Sequence, residues 1–186
     1  MRLLALLLAA LLVAGCSTTV VHDRPTSVHL GGTVLDATPL VEALLAQKGT
    51  RVQAVEGAWR DRTFQAQCVI KGDGEKLTVV FLAPQVRLVT ITVEKPHVVR
   101  CERVPQIPQS FEPEYALADL AFVNLETDVL RRALAPTHRV ETNGTTRRIL
   151  TNAGAAVAEV ERRGEGTVVF RNLEHGYAYT LKTIGE

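Results

Sequence analysis

The side chains in this sequence that could do chemistry are three cysteine thiols and five histidine imidazoles. The histidines, His22, His29, His97, His138 and His175, are scattered without the close spacing of metal ligands. A zinc site would need His97, Cys101 and a distant partner, and strand-end or surface histidines are the ordinary case. A cysteine nucleophile needs a neighbouring base and a lowered pKa. Cys68 falls instead in an apolar pattern with Phe64, Leu77 and Val79, which predicts an inert, buried thiol. No G-x-S-x-G or H-E-x-x-H occurs. The expectation is a protein that is not an enzyme, with no metal and no cofactor. Cys16 stands apart from this. It closes a segment that opens with Met1-Arg2, runs apolar from Leu3 to Val13 and ends in the small residues Ala14-Gly15. One positive charge, an apolar core and small residues are the layout of a secretory signal peptide. The run is shorter than the about 20 apolar residues of a membrane-spanning helix.

Leu12-Val13-Ala14-Gly15-Cys16 resembles the lipobox of bacterial lipoproteins, in which the thiol takes a diacylglycerol and cleavage leaves the cysteine as the new N-terminus. The resemblance implies a lipoprotein signal peptide over residues 1–15 and lipidation at Cys16. Several acyl chains anchor stably, at about 0.8 kcal/mol per buried CH₂, where one anchors only marginally. Serine at position 17, where aspartate usually retains such proteins at the inner membrane, implies an outer-membrane location facing the periplasm. Lys+Arg number 21 against 20 for Asp+Glu. So balanced a chain, with no basic block, has no electrostatic footprint for nucleic acid.

Positioning falls to the elements downstream. Residues 16–27 are polar and lack an apolar period, which predicts a lipidated tether; residues 28–186 are long enough for one domain. Val28 to Leu35 reads as extended. Thr38-Pro39 looks like a helix cap and first turn, with Leu40, Val41, Leu44 and Leu45 at helical spacing up to Gly49. From Arg51 the period becomes two. Phe64, Ala66, Cys68 and Ile70 alternate, a turn follows at Lys71-Gly72-Asp73-Gly74, and Leu77, Val79 and Phe81 resume the alternation. The predicted register sets Cys68 opposite Leu77, Ala66 opposite Val79 and Phe64 opposite Phe81. It then sets Val79 opposite Val89, Leu77 opposite Ile91, Val99 opposite Ile91 and Cys101 opposite Val89. In this antiparallel meander Cys68 and Cys101 are three strand spacings apart. That is roughly 14 Å, too far for a disulfide, although an oxidising compartment would permit one.

Two helical stretches follow, at 113–122 and 127–135, with Val129, Leu130, Ala133 and Leu134 on one side of the second and Arg131 and Arg132 on the other. The chain then returns to strands, with turns at Asn143-Gly144, Asn152-Ala153-Gly154 and Arg163-Gly164-Glu165-Gly166. Strands, then helices, then strands predict a mainly β protein: one curved antiparallel sheet, an open barrel, with a helical insert on its apolar face as a short lid. Trp59, Tyr177 and Tyr179 read as packing residues.

Phe64-Gln65-Ala66-Gln67, Arg148-Ile149-Leu150 and Gly176-Tyr177-Ala178-Tyr179-Thr180-Leu181 carry a wider resemblance, over roughly residues 50–184. The order is similar to the lipoprotein carrier and receptor LolA and LolB. More closely, the domain resembles an uncharacterised outer-membrane lipoprotein family often found with aryl polyene biosynthesis genes. The resemblance implies a LolB-like hydrophobic cavity that accommodates acyl chains or a polyene lipid, with a periplasmic carrier protein as a candidate partner. The cleft it implies is lined by Phe64, Ala66, Leu77, Val79, Phe81, Val89 and Ile91 from the sheet and by Leu117, Leu120, Val129 and Leu130 from the helices. One departure concerns the receptor's exposed loop leucine: the corresponding hairpin here reads Leu82-Ala83-Pro84-Gln85. The alternative expectation is a structural or assembly lipoprotein with a filled core and no ligand cavity, acting through protein contacts.

Overall fold

Period-two stretches rich in Val, Thr and Ile account for most of the chain, and in the computed structural model they become strands. The described residues are 18–22, 27–59, 62–84, 86–95, 98–108, 110–135 and 137–184. The strands are β1 (Thr18–His22), β2 (Ser27–Leu30), β3 (Thr33–Asp36), β4 (Gly49–Trp59), β5 (Arg62–Gly72), β6 (Lys76–Ala83), β7 (Val86–Glu94) and β8 (Val98–Arg103). After the helices come β9 (His138–Asn143), β10 (Thr146–Thr151), β11 (Ala156–Arg163), β12 (Thr167–Asn172) and β13 (Tyr177–Thr183). The helices are α1 (Thr38–Leu45), α2 (Pro113–Asn124) and α3 (Thr127–Leu134).

Eleven strands form one curved antiparallel sheet in the order β1-β8-β7-β6-β5-β4-β13-β12-β11-β10-β9, which does not close between its edge strands β1 and β9. It is two meanders, β4–β8 and β9–β13, welded where β13 pairs with β4 from Tyr177↔Trp59 to Thr183↔Gln53. β2 and β3 make a separate hairpin. The helices lie on the apolar face of the sheet, and strand and helix side chains form one core. The mainly β architecture with a helical cover is the one the residue pattern predicts.

Local chemistry explains the helices. Thr38 is inside α1 rather than its cap, and Asp36 Oδ1 accepts the Thr38 N–H at 2.9 Å in its place. Leu40, Val41, Leu44 and Leu45 are the buried side of α1, as their spacing predicts. α2 starts on Pro113 and is buried over nearly its whole length, from Leu117 to Val123. Apart from Glu114 and Asp119 the buried residues of α2 are apolar, as suits a helix inside a core. α3 is amphipathic, with Leu130 and Leu134 buried and Arg131 and Arg132 outside.

The structure corrects the sequence reading in several places. The expected tether contains β1, whose run Thr18-Thr19-Val20-Val21 is β-branched throughout and pairs with β8. The single extended segment at 28–35 is a hairpin turning at Gly31 and Gly32, both with positive φ (60° and 73°), the backbone a two-residue turn requires. The turn after β5 falls two residues later than predicted, because Asp73 Oδ1 accepts the N–H groups of Glu75 and Lys76 at 2.9 and 2.7 Å. Cys68 therefore faces Phe81, Ile70 faces Val79 and Gly72 faces Leu77. Val79 faces Ile91, Leu77 faces Val93, Ile91 faces Cys101 and Val93 faces Val99. Every one of these shifts is an even number of residues, so the same side chains stay on the inner face. Cys68 and Cys101 remain three strands apart, both free and buried.

Candidate functional site

The residues expected to line a cleft meet at the interface between sheet and helices. Leu77, Val79, Val89 and Ile91 from the sheet and Leu117, Leu120 and Leu130 from the helices are all buried in the common core. Phe81 and Val129 are partly buried against it, and Ala66 is half-buried. These side chains pack on one another. Phe64 is the exception, at 42% exposed. Its ring lies over Gly57, where a Cβ would come within 2.3 Å of it and 2.9 Å of Tyr179 Cβ. Phe64 thus marks the margin of the helical cover rather than its interior.

Polar side chains fasten the helices to this apolar face, and sequence reading missed most of them. Asp119 projects from the apolar α2 and is 6% exposed. Its Oδ2 accepts the Tyr177 hydroxyl proton at 2.5 Å, and the Tyr177 oxygen accepts from Asn172 Nδ2 at 3.1 Å. Burial pushes the Asp119 carboxyl up to about 7, against the lowering effect of its hydrogen bonds. Burial, reinforced by the Asp119 charge, also pushes the Tyr177 hydroxyl far up. Tyr179, stacked on Phe170 at 4.9 Å between ring centres, is raised by burial as well.

The C-terminal end of α2 is held by arginines. Arg147 Nη1 donates to the carbonyls of Phe122 and Leu125, both at 2.9 Å, and Nη2 donates to Thr127 Oγ1 at 2.9 Å. Arg162 Nη2 donates to Val123 O at 2.8 Å, and Arg51 donates to Asn124 Oδ1. A helix C-terminus leaves carbonyls without partners and carries a partial negative charge, and guanidinium groups answer both. Their detectable signal in the sequence was Arg147 standing at an inward position of a strand, with Asp119 inside the apolar run from Ala116 to Val123.

At the opposite end of the interface the β2–β3 hairpin closes over the sheet. Tyr115 OH accepts the His29 N–H at 3.2 Å, Glu174 Oε2 accepts the Gly31 N–H at 2.6 Å, and His138 Nε2 donates to Leu30 O at 3.1 Å. Tyr115 meets His175 edge-on at 5.0 Å. A surface recess of about 220 Å³ between β9 and β10, lined by Glu141, Asn143 and Arg148 among others, is polar and lies away from this interface.

Burial raises Cys68 to about 12 and Cys101 to about 11, which disfavours the thiolate at neutral pH. Among the described residues no group of His, Cys, Asp and Glu is placed to hold a metal ion. Nor is any described helix long and apolar enough to cross a membrane. The signal peptide at 1–15, Cys16, Ser17, Gln85 and His97 lie outside the described residues, as does the side chain of Trp59.

No curated protein matches this chain. Among solved structures it is similar to a domain from Vibrio parahaemolyticus described as an outer membrane lipoprotein-sorting protein. The two share 10% identity, the match covers 78% of this chain and 87% of that one, and the TM-score is 0.35. A superposition that loose carries no argument. The family match is of another kind. It extends over residues 50–185, taking in the sheet from β4 to β13 together with α2 and α3. By that match the chain belongs to the family described as protein of unknown function (DUF3261).

Proposed function

We propose that this protein is a lipid-anchored, periplasm-facing lipoprotein of the outer membrane that accommodates an acyl chain, or another long apolar lipid such as a polyene, between its sheet and its helical cover. It acts by binding, without covalent chemistry. Its place would be in lipid or lipoprotein trafficking, with a periplasmic carrier as the protein partner. Cys16 carries the anchor, for which Leu12-Val13-Ala14-Gly15-Cys16 is the support. The observation that carries the binding reading is how the helices are held. Buried polar groups that make all their bonds define one closed arrangement, and each bond is a discrete contact that can be broken and remade. Here the cover is fastened by directional contacts at the middle and the C-terminal end of α2, Asp119 to Tyr177 and Arg147 to Phe122 and Leu125, over an apolar face. Such contacts can be exchanged, and releasing them would expose Leu77, Val79, Ile91 and Leu130 to a ligand.

A second reading is favoured by the burial of those same residues: Val79, Ile91, Leu117 and Leu130 are 0% exposed. A drug-sized ligand needs about 300 Å³ or more of space. An assembly lipoprotein with a filled core, working through protein contacts, needs none. Titrating the full-length lipidated protein with a fluorescent long-chain fatty acid separates the two. Saturable uptake that is weakened in Val79→Asp or Leu130→Asp variants, with far-UV circular dichroism showing them folded, supports the lid. Absence of uptake by the wild type, together with no lipid in native mass spectra of membrane-extracted protein, supports the filled core.

A further inference from the structure

We propose that β1 is an orienting strut that keeps one particular end of the sheet against the lipid surface. The inference rests on the reading of Cys16 as the lipidated N-terminus. Cys16 precedes Thr18 by two residues, which reach at most about 7 Å. A free tether over residues 16–27 would reach roughly 40 Å and leave the domain to tumble. Instead β1 pairs antiparallel with β8 from Thr18↔Arg103 to His22↔Val99. The first residue of β1 therefore stands at the end of the sheet where β8 finishes.

The residues at that end follow from the register. β7 begins there, since Val89 faces Arg103 and Val86 lies three residues further out. The β12–β13 turn with Leu173 is at the same end, because Tyr177 pairs with Trp59 and Trp59 with Arg62. The opposite end carries Glu75, Lys95 and Gly164. Val86 and Leu173 are 44% and 48% exposed and would meet the lipid. Ile184, 45% exposed, is at the far end, so exposed apolar side chains alone do not choose an orientation. The strand does. It also turns toward the bilayer the end at which Phe64 emerges from the helical cover, so that a lipid leaving the membrane would meet the margin of the apolar interface first.

The test uses the full-length lipidated chain in vesicles of phosphatidylethanolamine and phosphatidylglycerol, labelled with bimane at one introduced cysteine: Val86→Cys, Leu173→Cys or Lys95→Cys. The buried native thiols stay unlabelled. Val86 and Lys95 are at opposite ends of β7, roughly 30 Å apart at about 3.3 Å per residue. Brominated lipids should quench the label at 86 and at 173 about threefold or more over the label at 95, since quenching by bromine needs near contact. Inserting about twelve Gly and Ser residues between Ser17 and Thr18, a spacer of roughly 20 Å r.m.s. reach, should make the three labels equal. Equal quenching without the spacer, in protein shown by intact mass to carry lipid, overturns the orientation. Asymmetry that survives the spacer overturns the role of β1. A protein without the lipid mass that does not bind vesicles overturns the Cys16 reading itself.

Discussion

Asp119 shows what one residue in the wrong environment does. Its folded pKa, about 7, is above the 3.8 of the free side chain. Between those values the folded protein holds a proton that the unfolded chain has released. Stability contributed by the neutral acid is therefore complete near pH 4, falls as pH rises toward 7, and is flat beyond. A tenfold difference in acidity between folded and unfolded chain corresponds to about 1.4 kcal/mol. The urea midpoint of the wild type should drop between pH 5 and pH 8 by more than that of Asp119→Asn, which has no proton to lose; equal slopes would place the proton elsewhere. Tyr177→Phe removes the donor and should cost about 1–3 kcal/mol in the same measurement. The thiols give a simpler test. Native protein at pH 8 should resist alkylation at Cys68 and Cys101, and unreduced protein in urea should yield both as free thiols. A bridged pair would contradict the strand order.

At the scale of elements, the weak point is the α2–α3 corner. Arg147 is 7% exposed, and burial lowers its pKa, yet it satisfies the carbonyls of Phe122 and Leu125 together. Arg147→Met keeps the volume and orphans both acceptors and the Thr127 hydroxyl. A loss of about 3 kcal/mol is expected, with faster hydrogen exchange concentrated at residues 122–128. Gly72 is a second such point, where the chain leaving α1 crosses the end of β5. A Cβ there would be 2.2 Å from Gln47 O, so Gly72→Ala must move backbone and should destabilise more than Gly57→Ala, whose clash is with the Phe64 ring. The observed registers differ from the predicted ones at this scale because a turn's position depends on local bonds such as those of Asp73, while alternation constrains only which face a residue takes.

For the molecule as a whole, the proposed anchor is tested first. Cys16→Ala should move the protein from the membrane fraction to the soluble one and remove the lipid mass; retention on the membrane would mean that something other than Cys16 holds it. Under the proposed orientation the sheet would present its β7-start end to the lipid and its Lys95 end away from it.

The sequence by itself determined the mainly β class, the inward residues of β5–β8, the three helices with the buried sides of α1 and α3, and the separation of Cys68 and Cys101 by three strand spacings. All of these follow from hydrophobic period and turn chemistry, which act over a few residues. Only the tertiary structure decided the welding of β4 to β13, the pairing of β1 with β8, and the meeting of Asp119 with Tyr177 and of Arg147 with the end of α2. Each joins residues tens of positions apart, and its stability depends on what the rest of the fold places alongside. The run Thr18-Thr19-Val20-Val21 shows the boundary between the two. Its β-branched residues were visible, but five residues make a strand only where an edge such as β8 stands open to receive them.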